Sequence, residues 1–260
     1  MKAIIVGATS GLGREIAKRL AAEGWSVGAA GRRVAELESL KAEIEAASQP
    51  ASSAGAPESR ILIAPMDVTK PEATAALDTL IEQLGAPDLL FYAAGMGFQN
   101  RELEEDTEIR TVQTNCEGMV RIVDRFVNFV RSHSEHYTRK AHVAVISSVA
   151  GTAALGSAPA YSATKKMQQT YVTALAQLAR MEKIPVQFTD IRPGFVRTPI
   201  LNPEKNYPMV MTLEQGADHI MRALKRRQRI CIFDWRFRVI VFLWRLIPRC
   251  IWERITIVRN

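Results

Sequence analysis

The feature that most constrains the fold is a glycine-rich turn close to the start of the chain. The apolar run at residues 2–6 leads into Gly7-x-x-x-Gly11-x-Gly13, and residues 14–23 then carry apolar side chains at helical spacing. A strand that turns tightly into a helix leaves backbone N–H groups free at the helix N-terminus, where a pyrophosphate can bind. Glycines also punctuate ordinary strand-to-helix turns, but this one follows a first strand. The pattern therefore predicts a dinucleotide-binding turn.

Apolar runs and amphipathic stretches alternate along most of the chain. Further strands are predicted at residues 25–30, 61–64, 89–92, 143–146 and 186–191, and helices at 34–47, 72–84, 111–130 and 162–181. Residues 49–59, rich in Pro, Ala, Ser and Gly, are predicted to form a solvated loop. Strands that alternate with helices build a parallel sheet with helices on both faces. We expect an α/β fold, a single doubly wound (Rossmann) domain with a C-terminal extension.

The end of the second predicted strand bears on the choice of dinucleotide. An NAD-selective site usually has Asp or Glu there, which accepts hydrogen bonds from the adenosine ribose. Here the strand ends in Gly31-Arg32-Arg33 without an acid. A guanidinium can bind a 2′-phosphate that a carboxylate would repel. Two arginines can also simply begin a solvated helix, but the pattern favours NADP(H).

A tyrosine and a lysine near the start of a predicted helix are candidates for proton transfer. Tyr161 and Lys165 are four residues apart, so they share a helix face, and a nearby cation lowers the pKa of a phenol. Ser148 ends an apolar strand thirteen residues earlier, where open α/β sheets bind ligands. As a bare pair, Tyr-x-x-x-Lys is common on surface helices.

Taken together, residues 1–200 resemble the short-chain dehydrogenase/reductase family. The glycine turn, Ser148, Tyr161, Lys165 and Pro193-Gly194 fall in the family's order and spacing. The resemblance implies that Tyr161 is the general acid/base and that Ser148 orients and polarises a substrate carbonyl. It implies that Lys165 binds the nicotinamide ribose and lowers the pKa of Tyr161.

The resemblance also implies a role for Asn115 and a set of cofactor contacts. Asn115 matches an asparagine that positions a water in the proton relay, although a polar residue on a helix often has no such role. Asp67-Val68 matches a pair that contacts adenine, and Thr198 lies in the loop that passes the nicotinamide. The cofactor-binding residues predicted in this way are Gly7, Thr9, Ser10, Gly11, Leu12, Gly13, Arg32, Arg33, Asp67, Val68, Ala94, Gly95, Tyr161, Lys165, Pro193, Gly194, Val196 and Thr198.

One segment departs from the family pattern. Tyr92-Ala93-Ala94-Gly95 stands where the family usually has Asn-Asn-Ala-Gly. Gly95 can still admit the cofactor, but the stabilising asparagine is missing, which bears on local rigidity more than on catalysis.

Cysteine and histidine spacing argues against a metal site. Cys116, Cys231 and Cys250 lie far apart without a CxxC pair, so neither a zinc site nor a disulfide framework is predicted. His133, His136 and His142 lack regular ligand spacing, and a solvated turn is preferred. The chain opens without a secretory signal pattern, so a cytoplasmic location is expected.

Positive charge is concentrated at the C-terminal end. Residues 222–260 hold 11 Lys and Arg against 2 Asp and Glu, whereas residues 1–221 have a net charge of −2. We therefore divide the chain into a catalytic domain, 1–221, and a basic aromatic extension, 222–260. Arg238, Arg245 and Arg249 are predicted to share one face of a helix whose other faces are apolar. No apolar run approaches the 20 or so residues that a membrane span needs.

The partner of this extension stays open at the sequence level. It suits an anionic membrane surface, a lid over the substrate pocket, or a subunit interface in a homo-oligomer. Each option makes a lipophilic substrate more plausible. Nucleic-acid binding is not expected, because no separate domain is present to read bases.

The leading functional hypothesis is an NADPH-dependent oxidoreductase that reduces a carbonyl to an alcohol, or the reverse. One alternative is a membrane-surface reductase of a long-chain lipid ketone, such as a 3-keto sphingoid base. An alternative of another class is a non-catalytic NADP(H)-binding scaffold or sensor. A scaffold has no need of Ser148, Tyr161, Lys165 and Asn115, which disfavours that alternative.

Overall fold

The sheet predicted from the alternating pattern is confirmed. The computed structural model describes residues 1–48, 60–199, 201 and 207–255; the loop predicted at 49–59 lies outside these residues. Within them, seven parallel strands form one sheet in the order β3-β2-β1-β4-β5-β6-β7. The strands are β1 (Lys2–Val6), β2 (Ser26–Gly31), β3 (Ile61–Pro65), β4 (Leu89–Tyr92), β5 (Ala141–Ile146), β6 (Val186–Arg192) and β7 (Ile230–Ile232).

Helices cover both faces of this sheet. They are α1 (Gly11–Ala22), α2 (Val34–Ser48), α3 (Ala73–Leu84), α4 (Glu105–Val112), α5 (Gly118–Ser132), α6 (Pro159–Met181), α7 (Leu213–Lys225), α8 (Trp235–Leu246) and α9 (Arg249–Trp252). Because side chains alternate along a strand, Ile4 packs with α3, α5 and α6 on one face, whereas Ile5 packs with α1, α2 and α7 on the other. The two apolar layers bury the sheet between them, as its near-continuous apolar strands require.

The chain reverses its direction of winding beside β1. Strand β1 lies between β2 and β4, so the loops that follow β1 and β4 diverge to opposite sides of the sheet. Ligands of open α/β sheets bind in the crevice that such a divergence leaves at the carboxyl ends of the strands. The glycine turn follows β1 and the segment Ala93-Ala94-Gly95 follows β4, so both border this crevice.

Two predicted helices differ from those observed. The helix predicted at 111–130 is interrupted: α4 begins earlier, at Glu105, and a π-helical turn, Gln113–Glu117, separates it from α5. Helix α6 begins at Pro159 rather than at 162, since proline is well suited to the first turn of a helix.

His142, expected in a solvated turn, is buried in β5, where its ring bonds to the Thr189 hydroxyl.

The C-terminal part differs most from its prediction. The division expected between residues 221 and 222 falls inside α7, and β7 pairs with β6 at the edge of the sheet. Phe233 is fully buried in the same core as Ile5. The sheet and its core therefore take in residues 222–233, and it is α8 and α9 that lie beyond them.

The predicted face of three arginines is wrong. Helix α8 ends at Leu246, and Ile247 is extended because the following Pro248 disfavours a helical conformation before it. Arg249 therefore starts α9, and only Arg238 and Arg245 remain on one helix. Among the described residues, no helix combines the length and the apolar character that crossing a membrane requires.

Candidate active site

The glycine turn forms a backbone cradle at the carboxyl end of β1. A Cβ on Gly7 would lie 2.5 Å from the nitrogen of Ala94, and one on Gly13 would lie 2.1 Å from the carbonyl oxygen of Gly7. Glycine is therefore required where β1, α1 and the loop after β4 meet. The first turn of α1 carries no acidic residue, and the Ser10 side chain makes no capping bond. The helix N-terminus can accordingly receive an anion on its N–H groups.

A cavity of about 230 Å³ opens in front of this turn, and we call it the polar cavity. It brings together residues from the turn, the end of β2, the loop after β3 and the loop after β4. Thirteen of the predicted cofactor contacts line it: Gly7, Thr9, Ser10, Gly11, Leu12, Gly13, Arg32, Arg33, Asp67, Val68, Ala94, Gly95 and Thr198. The other five, Tyr161, Lys165, Pro193, Gly194 and Val196, line the neighbouring cavity described below.

The charge of the polar cavity is mainly positive. Arg33 donates a hydrogen bond from Nη2 to the hydroxyl of Thr9 at 2.9 Å. Asp67 is the one carboxylate among the described residues that line it. Burial works to raise the pKa of Asp67, but two hydrogen bonds from Thr69 and the charges of Arg32 and Lys70 outweigh it and hold that pKa below its ordinary value. Asp67 is thus ionised and satisfied locally.

A second cavity, of about 520 Å³, adjoins the first and is mostly apolar. We call it the apolar cavity. The two cavities share five lining residues: Leu12, Ala93, Gly95, Ile146 and Thr198. The outer wall of the apolar cavity comes from Phe195 and Met209 and from three residues of α8, Phe237, Ile240 and Trp244. The C-terminal part of the chain therefore shapes this cavity.

Ser148, Tyr161 and Lys165 all line the apolar cavity. Ser148 follows β5, where its hydroxyl accepts from the N–H of Ala150 at 3.1 Å and also hydrogen-bonds to Tyr161. Lys165 Nζ lies 5.8 Å from the centre of the Tyr161 ring and donates to the carbonyl of Ile146 at 3.0 Å. Side chains from the loop after β5 and from the first turns of α6 thus meet in the apolar cavity, and Lys165 bonds to Ile146, one of the residues that both cavities share.

Burial controls the ionisation of this group. It raises the pKa of Tyr161 above the ordinary value, and the hydrogen bond from Ser148 only partly offsets the rise. The lowering of the pKa of Tyr161 by Lys165, which the resemblance implies, stays a prediction, since burial is the largest influence on that pKa in the structure. Burial also lowers the pKa of Lys165 to about 8, against an opposing effect of Asp190. The tyrosine is accordingly a phenol, ready to donate a proton.

Asn115 lies behind the cavities rather than in their walls. It is fully buried in the π-helical turn, where Oδ1 accepts from the N–H of Met96 at 2.9 Å. Its Nδ2 donates to the carbonyl of Met96 at 2.8 Å and to the hydroxyl of Thr164 at 3.0 Å. The side chain thus ties the loop after β4 to α6, and its predicted part in a proton relay stays a prediction.

Sequence reasoning missed two buried side chains that join these elements. The hydroxyl of Tyr92 donates to the carbonyl of Thr114 at 3.2 Å, so it links β4 to the π-helical turn in the segment that departs from the family pattern. Gln168 contacts both Lys165 and Asn115. A polar residue three positions after Lys165, on the same helix face, was the signal available for Gln168.

Comparisons with known proteins agree with this architecture. A family model described as "short chain dehydrogenase" matches residues 1–207. A fatty acyl-CoA reductase of Acinetobacter baylyi is 32% identical over 252 residues, covering 92% of this chain and 78% of that protein. The crystal structure of a single-substitution variant of actinorhodin polyketide ketoreductase with NADPH has a TM-score of 0.73 at 22% identity, covering 89% of this chain and 95% of that one.

A further solved structure is similar in fold but holds a different dinucleotide. The short-chain dehydrogenase/reductase of Burkholderia phymatum, in complex with NAD, has a TM-score of 0.78 at 21% identity. The alignment covers 93% of this chain and 92% of that one. Similar folds therefore accommodate either nicotinamide dinucleotide.

Proposed function

The chain belongs to the short-chain dehydrogenase family of oxidoreductases, and from this premise we propose that it is an NADPH-dependent carbonyl reductase. The observation that carries the proposal is the meeting of Ser148, Tyr161 and Lys165 at the junction of the polar and apolar cavities. In this proposal the residues of the polar cavity would hold the dinucleotide, and those of the apolar cavity would hold the carbonyl substrate. The same residues serve alcohol oxidation in reverse.

The fit of a dinucleotide rests on the glycine cradle. Gly7 and Gly13 leave space that any Cβ would fill, and the N-terminus of α1 faces that space. The polar cavity would hold the adenosine and pyrophosphate, and Pro193, Gly194, Val196 and Thr198 border the path toward the nicotinamide. When bound, NADPH supplies a hydride at this junction.

Side chains of the protein itself donate the proton and orient the carbonyl. Ser148 donates a hydrogen bond to the substrate oxygen and so polarises it. Tyr161 donates its phenolic proton to the same oxygen as negative charge develops there. Lys165 keeps a positive charge close to the resulting phenolate and offers an N–H to the ribose hydroxyls.

The proposal of NADPH rather than NADH rests on charge. Arg32 and Arg33 both line the polar cavity beside the end of β2, where an NAD-selective site would place a carboxylate. A guanidinium there can make charge-assisted hydrogen bonds to a 2′-phosphate. The ketoreductase of similar fold holds NADPH, whereas the Burkholderia phymatum protein holds NAD. Because the fold does not distinguish the two dinucleotides, the proposal of NADPH rests on the charge of the two arginines.

A lipophilic substrate is proposed from the walls of the apolar cavity. Phe195, Met209, Phe237, Ile240 and Trp244 offer no charge to a substrate, so binding must come from apolar contact. The related protein of Acinetobacter baylyi is named a fatty acyl-CoA reductase, which supports an acyl chain as one form of such a substrate. A lipid ketone fits the same walls.

The test is a series of unbranched aldehydes and methyl ketones of increasing chain length, with NADPH consumption as the readout. We expect kcat/KM to rise with chain length until the cavity is filled, by about 3- to 4-fold per methylene group buried. NADPH binding without turnover of any member of the series would favour the non-catalytic scaffold or sensor instead. The predicted cytoplasmic location and homo-oligomer are not addressed by this series and stay predictions.

A second proposal concerns the outer side of α8, where apolar residues are exposed. Trp235 is 72% exposed, Phe242 62% and Leu246 63%, although the opposite side of the same helix lines the apolar cavity. Residues 235–255 contain five arginines and one acidic residue. Exposed aromatic and aliphatic groups among arginines suit the interface of an anionic membrane. We propose that this surface binds anionic lipid and brings the cavity to a membrane-borne substrate.

Vesicle flotation tests this surface. Wild-type protein should float with vesicles that contain phosphatidylglycerol and much less with pure phosphatidylcholine. Phe242→Glu should abolish flotation, and Arg238→Glu with Arg245→Glu should remove the preference for anionic lipid. The matched control carries Arg131→Glu and Arg139→Glu, two exposed arginines elsewhere. If wild type ignores both vesicles and Phe242→Glu dissociates a dimer in light scattering, the surface is a subunit interface and the membrane proposal is wrong.

A further inference from the structure

Gln168 is a buried polar residue behind the reactive side chains. Its exposed fraction is 0%, and both ends of its carboxamide are bonded. Its Oε1 accepts from Lys165 Nζ at 3.0 Å, and its Nε2 donates to the carbonyl of Asn115 at 2.8 Å. An ammonium can only donate and a carbonyl can only accept, so this orientation of the carboxamide is the one that satisfies both partners.

The contacts of Lys165 give Gln168 its importance. Lys165 has three N–H bonds, and among the described residues the carbonyl of Ile146 and Oε1 of Gln168 accept two of them. Ile146 lies at the end of β5, and Gln168 lies on α6, one turn after Lys165. Two acceptors on different elements fix the direction of the third N–H, which a single flexible side chain could not fix by itself.

The other end of the carboxamide connects this lysine to the π-helical turn. Asn115 sits in Gln113–Glu117, and its own side chain reaches α6 through Thr164 at 3.0 Å. Two hydrogen bonds therefore clamp α6 to the turn on either side of Lys165: Asn115 donates one to Thr164, and Gln168 donates the other to Asn115. π-helical turns inside α-helices occur frequently at functional sites.

We propose that Gln168 is a positioning residue, whose carboxamide ties the ammonium of Lys165 to the backbone of the π-helical turn and directs its remaining N–H into the active site. A neutral group is needed in this place. A carboxylate would compensate the positive charge of the ammonium. An aliphatic side chain would leave a buried N–H and a buried carbonyl without partners. The inference rests on the proposed function, because it assigns Lys165 a part in the reaction.

Few other ionisable groups act on Lys165. On its own helix Tyr161 lies nearby, and from the π-helical turn Cys116 faces it. From β6 the carboxylate of Asp190 acts on it, but that carboxylate already pairs with Arg192 and bonds to Ser147. A charge introduced at position 168, in direct contact with Nζ, would therefore dominate the ionisation of Lys165.

Two substitutions separate positioning from mere packing. Gln168→Met keeps the approximate volume and deletes both hydrogen bonds, so kcat should fall by about 10- to 100-fold, with a smaller change in the KM for NADPH. Gln168→Glu keeps the shape and adds a negative charge beside the ammonium. The alkaline limb of the pH–rate profile should then move to higher pH by roughly 1 to 3 units, since a neighbouring opposite charge favours the protonated lysine.

Controls come from the same helix. Gln177 is an exposed glutamine nine residues further along α6, and Gln177→Met and Gln177→Glu should leave both kcat and the pH limb unchanged. Thermal unfolding checks that each variant is folded. A folded Gln168→Glu with an unmoved limb, or a folded Gln168→Met with wild-type kcat, would overturn the inference.

A measurement without turnover keeps the inference separate from the proposed function. In protein labelled at lysine Cε with ¹³C, NMR titration should follow the ionisation of Lys165 and show the same upward shift in Gln168→Glu. If no carbonyl is reduced but this shift is seen, the proposed function fails and the link from Gln168 to Lys165 stands. If Tyr161→Phe abolishes turnover while the NMR shift is absent, the inference about Gln168 alone is wrong.

Discussion

The polar and apolar cavities adjoin but are built in different ways. The polar cavity is lined by glycines and backbone groups at the ends of β1, β2 and β4, with Arg32 and Arg33 at its side. The apolar cavity takes its outer wall from side chains that come late in the chain, including Phe237 and Trp244 of α8. One cavity is shaped by backbone and charge, the other by side-chain volume.

Under the proposed function, this difference would let the protein combine a fixed cofactor with an adaptable substrate. A Cβ at Gly13 would lie 2.1 Å from the carbonyl of Gly7, so the cradle tolerates no other residue. Trp244, in contrast, sits on a helix that packs at the edge of the fold and can change in size without disturbing the sheet. The polar and apolar cavities meet near Ser148, Tyr161 and Lys165, so substitutions can alter either cavity separately.

The largest expected effect comes from the junction itself. Tyr161→Phe removes the proton that the mechanism donates and leaves both cavities in place, so kcat should fall by about 10²- to 10⁴-fold. NADPH binding, measured by fluorescence titration, should persist. Tyr207→Phe is the matched control, because Tyr207 also lines the apolar cavity and its ring lies tilted against that of Phe195, with ring centres 4.9 Å apart. Retained turnover in Tyr161→Phe would exclude this tyrosine as the acid.

A second substitution alters the charge of the polar cavity alone. Arg32→Asp replaces a cation with an anion beside the proposed 2′-phosphate, so NADPH should bind about 10- to 100-fold more weakly and NADH more tightly. The KM for the carbonyl should change little. Arg60→Asp, at an exposed arginine just before β3, tests for a general effect of charge. Tighter binding of NADH than of NADPH by the wild type would show that the 2′-phosphate site is misassigned.

The pH profile examines Lys165, which lines the apolar cavity and bonds to Ile146, a residue that both cavities share. Burial lowers the pKa of Lys165 to about 8, so the ammonium loses its proton as the pH rises through that value. Because kcat/KM for NADPH reports ionisations of the free enzyme, it should fall by up to about 10-fold per pH unit above a pH of about 8. Lys166→Met, at the exposed neighbour, should leave this limb in place, whereas a limb absent from wild type would contradict the assignment.

The smallest effect is expected in the apolar cavity. Trp244→Ala removes part of the wall, so long-chain carbonyls should lose about 3- to 10-fold in kcat/KM while short ones and NADPH are unaffected. Phe242→Ala is the control, since Phe242 lies on the same helix but is 62% exposed. Equal losses for short and long substrates would mean that α8 does not contact the chain.

The residues that line the polar cavity were predictable because their signals are local. The glycine turn, Gly31-Arg32-Arg33 and Asp67-Val68 each follow a strand, and the carboxyl ends of parallel strands must meet at one edge of the sheet. The order of strands β1 to β6 followed from the alternation of apolar patterns, whereas the single helix predicted at 111–130 is observed as α4, a π-helical turn and α5.

The C-terminal side was not predictable in the same way. The short strand β7 has three residues, too few for a periodic pattern, so the division at residue 222 cut through α7. The expected continuous arginine face required a helix through Pro248, where the chain instead breaks before α9. One partner of Gln168 is Lys165, three residues earlier on α6, but the other, Asn115, lies in the π-helical turn, and no spacing in the sequence reveals that contact.

The proposed function requires hydride transfer at the junction of the two cavities. The most direct measurement uses NADPH carrying deuterium at the transferable C4 position, with the best carbonyl from the chain-length series, followed by mass spectrometry of the product. We predict one deuterium on the carbinol carbon, formed in step with NADPH consumption and lost with Tyr161→Phe. Consumption of NADPH without deuterium in an alcohol product, or no consumption with any carbonyl despite NADPH binding, would contradict the proposed function.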